Sequence, residues 1–177
     1  MTDREYMMLA LEQAKLAYAL GEVPVGAVIV QDGKVIATGY NRRETDKNAL
    51  SHAEHTAIDN ACKTLGGWRL PRCTLYVTLE PCLMCAGAII HARLDRVVFG
   101  TPDPKTGAFG SLTDINALPL NHHPIIERGV CEEECSALIK AFFADLRQQK
   151  KRAKTKMSRD CPVTQEGEPR ALFGAAF

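Results

Sequence analysis

The chain has 177 residues, 46% of them hydrophobic, which suits one folded domain with a sizeable core and excludes a disordered chain. Its net charge of +1 does not indicate a nucleic-acid-binding protein, so any basic surface must be local. Seven cysteines without the spacing of a disulfide framework fit a reducing compartment. No apolar run approaches membrane-spanning length and the N-terminus lacks a signal-peptide pattern, so we expect a cytoplasmic protein without membrane association.

The hydrophobic pattern predicts one layered α/β domain over residues 1–150. After a first helix, two apolar segments joined by Asp32-Gly33 read as an antiparallel hairpin. The later strands flank a helix and are expected to be parallel, because such crossover units join parallel strands. The predicted helices are 4–20, 53–65, 84–91 and 132–151, and the predicted strands are 24–30, 34–40, 73–79, 95–100 and 125–130.

Two short motifs contain the residues that could bind a metal or take part in catalysis: Ser51-His52-Ala53-Glu54 and Pro81-Cys82-Leu83-Met84-Cys85. A catalytic zinc site takes three protein ligands and leaves the fourth position for water. Cysteines three positions apart at a helix start place both sulfurs on one side, where the helix N-terminus favours thiolate. The motifs therefore predict His52, Cys82 and Cys85 as ligands, with Glu54 outside the ligand set and placed to move a proton.

Each motif alone also has a purely structural interpretation. Ser51-x-x-Glu54 matches a capping box, in which Ser51 is the N-cap and the glutamate bonds back to its backbone N–H. The Cys-x-x-Cys pair alone could be a redox pair, or half of a structural zinc site completed by Cys73, Cys131 or Cys135. The combination of His-x-Glu with a later Pro-Cys-x-x-Cys favours the catalytic site, since this is the motif of zinc-dependent nucleobase deaminases.

Two further segments remain ambiguous from sequence alone. The loop 103–110 follows a predicted strand at the sheet edge where α/β proteins meet ligands, so it is either a connection or a substrate contact. Residues 151–177 form a basic, glycine- and proline-containing tail that we predict to be disordered. A basic run overlaps the start of this tail and is either a solvated helix end or a phosphate contact to RNA. It comprises Lys150, Lys151, Arg152, Lys154, Lys156 and Arg159.

The motifs and their surroundings resemble the cytidine deaminase-like superfamily, and most closely its bacterial tRNA-specific adenosine deaminases. The resemblance runs from about Tyr6 to Arg147 and implies a three-layer α/β/α fold around a central mixed five-stranded sheet. The stretches that carry it are 22–28, 40–42, 52–54, 75–91, 97–100, 105–108 and 121–122.

The resemblance implies one Zn²⁺ per chain, held by His52, Cys82 and Cys85, with Glu54 as the catalytic proton shuttle. The expected reaction converts the wobble adenosine of a tRNA anticodon stem-loop to inosine with release of ammonia, and the expected assembly is a homodimer. Two other functions stay open: deamination of free cytosine, guanine or a nucleotide, and a non-enzymatic structural zinc or RNA-binding role. The resemblance also implies substrate contacts by Asn41, Asp103, Lys105, Asn121 and Phe143.

Overall fold

The computed structural model describes the backbone of residues 1–159 and the side chains of residues 1–153. No helix in this described part is long and apolar enough to cross a membrane. The helices are α1 (Asp3–Ala19), α2 (Arg43–Asp46), α3 (Ala53–Leu65), α4 (Leu83–His91) and α5 (Glu132–Arg159), with a short 3₁₀ turn at Ile115–Ala117. The strands are β1 (Gly26–Gln31), β2 (Lys34–Tyr40), β3 (Cys73–Leu79), β4 (Arg96–Thr101) and β5 (Ile125–Arg128).

The five strands form one mixed sheet in the order β2-β1-β3-β4-β5. Strand β1 is antiparallel to β2 and β3, whereas the β3–β4 and β4–β5 pairs are parallel. Asp32 and Gly33 have φ angles of 49° and 76°, as a two-residue turn with positive φ at both central positions requires. The predicted hairpin and mixed sheet are confirmed.

Helices cover both faces of the sheet, because successive strand residues point to opposite sides. On one face Ile29, Leu75 and Val97 belong to a core cluster that also contains side chains of α3 and α4. On the other face Val28 and Val98 join a second cluster, with side chains of α1 and the first turn of α5. The expected three-layer α/β/α arrangement is confirmed.

Helix α3 lies unusually close to the sheet, and this fixes where its N-terminus is found. Only alanine side chains of α3, among them Ala53 and Ala57, are fully buried in the core cluster. A Cβ on Gly39 of β2 would lie 2.6 Å from the backbone nitrogen of Ala57, so no side chain fits there. Because Gly39 is near the end of β2, the start of α3 lies at the edge where β3 and β4 end.

Helix α5 continues past the predicted end at residue 151 and reaches Arg159. Residues 152–159 include the good helix formers Lys, Arg, Ala and Met and lack glycine and proline, the first helix-breaking residue being Pro162. The first compact unit is Met1–Phe143 and contains all the candidate site residues, and a second unit begins at Ala144. The division at residue 150 and the disorder of residues 151–177 stay predictions, and residues 160–177 lie outside the described part of the chain.

Candidate active site

The three candidate metal ligands come together where α3 and α4 begin. His52 is the N-cap of α3, Cys82 is the N-cap of α4, and Cys85 lies in the first turn of α4. The Nδ1 atom of His52 is 3.8 Å from Cys82 Sγ and 3.5 Å from Cys85 Sγ. Their three ligand atoms lie within 4.8 Å of one another. Within the described residues, this is the one His, Cys, Asp and Glu group so placed.

The geometry of this cluster fits zinc. With Zn–S distances of about 2.3 Å and Zn–N distances of about 2.0–2.1 Å, a tetrahedral ion separates its sulfur and nitrogen ligands by about 3.6 Å. The observed separations of 3.5 and 3.8 Å lie on either side of that value. Both thiols are free, and two sulfurs with one imidazole form a donor set that zinc prefers. The residues therefore suit one zinc ion with three protein ligands.

The two cysteines hold their protons unequally. The hydrogen bond from Cys85 lowers the pKa of Cys82 to about 4, whereas this bond and burial raise the pKa of the Cys85 thiol. The hydrogen bond with Cys82 raises the pKa of His52 above its ordinary value. The thiolate form is thus favoured at Cys82 and the thiol form at Cys85, and a bound cation would displace the proton of Cys85.

Glu54 lies in the first turn of α3 and is 4% exposed, and burial raises its pKa to about 7. The capping-box interpretation is wrong. The N-cap is His52 rather than Ser51, no side chain caps the helix, and the Ser51 side chain interacts with Asp46. Glu54 is therefore the second residue of the helix, whereas a capping box uses the third. Its carboxyl group is not engaged in capping and is available for chemistry.

A cavity of about 130 Å³ adjoins the cluster and is lined by His52, Cys82 and Glu54. Asn41, 8% exposed, forms part of its wall, and its Nδ2 donates to the Val23 carbonyl at 3.2 Å and to Glu22 at 3.4 Å. Both neighbours are acceptors, so the amide nitrogen must face them. The amide oxygen is then the atom that can accept a hydrogen bond from a ligand.

Two buried carboxylates beside this cavity are not among the residues that the sequence patterns predict. Glu22 is 1% exposed and accepts the Thr45 N–H at 2.6 Å. Burial alone would raise its pKa, but hydrogen bonds from the backbone N–H groups of Thr45 and Glu44 outweigh this and lower the pKa. Glu80 is 2% exposed and accepts hydrogen bonds from the loop after β4. The sequence gives only a weak signal for these two carboxylates: each is an acidic residue next to an apolar strand segment and within two positions of a proline.

The other predicted substrate residues lie at different places. Asp103 lines the cavity and also an adjoining groove of about 340 Å³, which Lys105 and Phe143 line as well. Phe143 is 40% exposed in this groove. Asn121 lines neither space, and its Oδ1 accepts a hydrogen bond from Arg93 at 2.8 Å. The structure thus brings Asn41 and Asp103 next to the metal cluster, and the substrate roles of all these residues stay predictions.

Comparison with known proteins gives a consistent result. The family model for MafB19-like deaminases matches residues 1–147. A "tRNA-specific adenosine deaminase" of Bacillus subtilis is 49% identical over 157 residues, covering 88% of this chain and 98% of the relative. One from Haemophilus influenzae is 46% identical over 151 residues, covering 84% and 87%. A solved structure concerned with A-to-I editing by tRNA:A34 deaminases at the wobble position of transfer RNA is 44% identical, with a TM-score of 0.71 and coverage of 76% and 98%.

Identity of this extent, over nearly the whole length of the relatives, leaves one conclusion. The chain belongs to the tRNA-specific adenosine deaminase family of enzymes.

Proposed function

We propose that this chain is a zinc-dependent hydrolase that converts the wobble adenosine of a tRNA anticodon to inosine and releases ammonia. The observation that carries the proposal is the convergence of His52, Cys82 and Cys85 at two helix starts, with buried Glu54 and a cavity beside them. The tRNA substrate is supported by the names of the relatives described above.

His52, Cys82 and Cys85 would hold the zinc ion, which supplies a Lewis acid that activates water at neutral pH. Glu54 would transfer one proton of the attacking water to the ring nitrogen and the other, released as the carbonyl group forms, to the departing amino group, which leaves as ammonia. The new bond joins the water oxygen to the ring carbon that bears the amino group, and the bond from that carbon to the amino nitrogen breaks. Burial of Glu54 beside the cavity suits this transfer, because bulk water is kept from the carboxyl group.

The cavity walls supply contacts for a single unstacked base. A base inside a duplex cannot reach such a cavity, so an anticodon-loop nucleotide is the natural substrate. The Asn41 amide oxygen would accept a hydrogen bond from the base, as its amide nitrogen is already engaged. In the adjoining groove, Lys105 would meet a phosphate and the exposed ring of Phe143 would stack on a neighbouring base.

Asp103 stands between these two spaces and would contact the nucleotide that links them. Asn121 would reach RNA only through its amide nitrogen, because Arg93 already donates to its oxygen. It is therefore the weakest of the five substrate assignments.

We further propose a C2 homodimer in the cytoplasm. Helix α4 is apolar and rich in small residues, and Leu83 at its start is 54% exposed. Such a face suits a symmetric interface between two copies, the commonest closed assembly. Free thiols suit a reducing compartment. Light scattering over a range of concentrations tests the assembly, and a monomer mass at every concentration would contradict it.

The substrate class can be tested by comparing ammonia release from tRNA with release from free adenine, cytosine and guanine. We expect efficient release only from tRNA, since the residues that line the groove would contact parts of the substrate that a free base lacks. Faster turnover of a free base would favour the alternative deaminase function. No release from any substrate by zinc-loaded protein, together with a fourth protein ligand on the metal, would favour a structural zinc protein.

A further inference from the structure

The loop that follows β4 is held in place by one buried side chain. Glu80 lies just after β3 and is 2% exposed. Its Oε2 accepts the backbone N–H of Asp103 at 3.1 Å and the hydroxyl group of Ser111. Its Oε1 accepts the N–H groups of Phe109 at 2.9 Å and Ser111 at 3.1 Å. One carboxylate thus connects the two ends of the loop 103–111.

This loop also contacts the turn that carries a metal ligand. The N–H of Ala108 donates to the Pro81 carbonyl at 2.9 Å, and Gly107 forms an isolated antiparallel bridge with Cys82. A Cβ on Gly107 would lie 2.5 Å from Glu80 Oε2, so the approach of loop and carboxylate depends on the absence of a side chain. The segment 80–82 therefore positions both a metal ligand and the wall of the cavity.

The part of the loop that faces the cavity, residues 103–106, is shaped by hydrogen bonds within the loop itself. Asp103 accepts the Lys105 N–H at 2.9 Å and the Thr106 hydroxyl at 2.5 Å, which fixes these residues relative to one another. These bonds do not connect Asp103 and Thr106 to the sheet. The bond from the Asp103 N–H to Glu80 does so, and it bears directly on a residue that lines the cavity.

We propose that Glu80 is a positioning residue for the deamination. Its carboxylate holds the loop 103–111 in the shape that places Asp103 and Thr106 against the bound nucleotide. The kinetic part of this inference rests on the proposed function, whereas the loop-holding part does not. A displacement of about 1 Å near the reacting groups can reduce a rate by about 100-fold, so loss of the loop's anchor should lower the rate of deamination.

The test uses Glu80→Gln in the full-length, zinc-loaded protein. One oxygen becomes an NH₂ group that cannot accept a hydrogen bond. Each oxygen accepts two hydrogen bonds, but the Ser111 hydroxyl group at Oε2 can turn to accept from an NH₂ group, whereas the two N–H groups at Oε1 cannot. The amide oxygen is therefore expected at the Oε1 position, so the NH₂ group faces the Asp103 N–H and releases that end of the loop. Glu127→Gln is the matched control, because among the described residues Glu127 accepts side-chain hydrogen bonds from Arg96 alone, and it lies on β5.

Hydrogen exchange followed by mass spectrometry reports on the loop itself. We expect faster exchange over residues 102–112 in Glu80→Gln, concentrated at the Asp103 amide, and exchange as in the wild type for Glu127→Gln. For an anticodon stem-loop substrate, kcat/KM should fall by about 10- to 100-fold in Glu80→Gln and stay within about twofold in the control. The zinc content should be unchanged in both variants.

Unchanged exchange of the loop in Glu80→Gln would overturn the inference, whatever the activity. Faster exchange with an unchanged kcat/KM would overturn the positioning role. Gly107→Ala provides a second variant if Glu80→Gln does not fold, since it keeps the carboxylate but displaces it, and it must give the same exchange pattern. A wild-type protein without activity on tRNA would refute the proposed function and the kinetic role together, while exchange would still decide whether Glu80 anchors the loop.

Discussion

Replacing Glu54 by glutamine separates proton transfer from every structural role of this side chain. Glu54 is 4% exposed in the first turn of α3, and glutamine has nearly the same shape, so packing is retained. Since the N-cap is His52 and no side chain caps this helix, the substitution does not incur the usual loss of about 0.5–2 kcal/mol for a missing N-cap. Glutamine cannot accept a proton and return it. Loss of general acid–base catalysis typically reduces a rate by about 10²–10⁴-fold.

This loss corresponds to an increase of about 2.7–5.4 kcal/mol in the activation free energy. The assay is single-turnover deamination of an anticodon stem-loop, with zinc content, melting temperature and RNA binding measured on the same preparations. Glu54→Gln should bind zinc and RNA and melt near the wild-type temperature, yet form almost no inosine. Glu133→Gln, the same change in the first turn of α5, should be fully active. Turnover by Glu54→Gln at the wild-type rate would refute the proton-transfer role.

Three further outcomes are expected. The double variant Cys82→Ala/Cys85→Ala should lose both zinc and activity, because one imidazole cannot hold the ion; full zinc occupancy by elemental analysis would contradict the ligand assignment. Asn41→Ala should lower kcat/KM by roughly 10- to 100-fold with zinc content unchanged, the effect of one lost hydrogen bond to the base, and wild-type kinetics would exclude that bond. Asp3→Asn should lower the free energy of unfolding at pH 7 by on the order of 1 kcal/mol, as the hydrogen bond from Arg96 lowers the pKa of the Asp3 carboxyl group. A carboxyl group whose pKa is lowered on folding stabilises the folded protein above pH 3.8, its ordinary pKa, and this stabilisation is lost as the pH falls through the folded-state pKa. Urea titrations should therefore show the stability difference between the wild type and Asp3→Asn shrinking in acid. A stability difference that is independent of pH would contradict this.

Features set by local sequence were predictable. The hairpin turn at Asp32-Gly33 follows from residues that tolerate positive φ, and the strands from apolar segments of suitable length. The convergence of His52 with the cysteine pair was predictable because both motifs open helices that follow one another across the same sheet edge. Neither motif alone carries that information, whereas the combination of His-x-Glu with a later Pro-Cys-x-x-Cys does.

Features that depend on distant partners were not predictable. Ser51 is a favourable N-cap residue, yet its side chain interacts with Asp46 and the N-cap of α3 is His52. Glu80 looks like an ordinary polar residue at the end of a strand, and its role depends on N–H groups more than 20 positions away along the chain. The oxygen of Asn121 is bound by Arg93, a contact that no local pattern indicates.

Deamination of the first anticodon nucleotide of tRNA, as proposed above, can be measured on an intact substrate. Purified protein is incubated with a tRNA that carries adenosine at that position, and nuclease fragments are analysed by mass spectrometry. We expect the mass change for replacement of an amino group by oxygen in the anticodon fragment alone, and no such change with Glu54→Gln. Unmodified tRNA after incubation with zinc-loaded wild-type protein, or modification at other adenosines instead, would contradict the account.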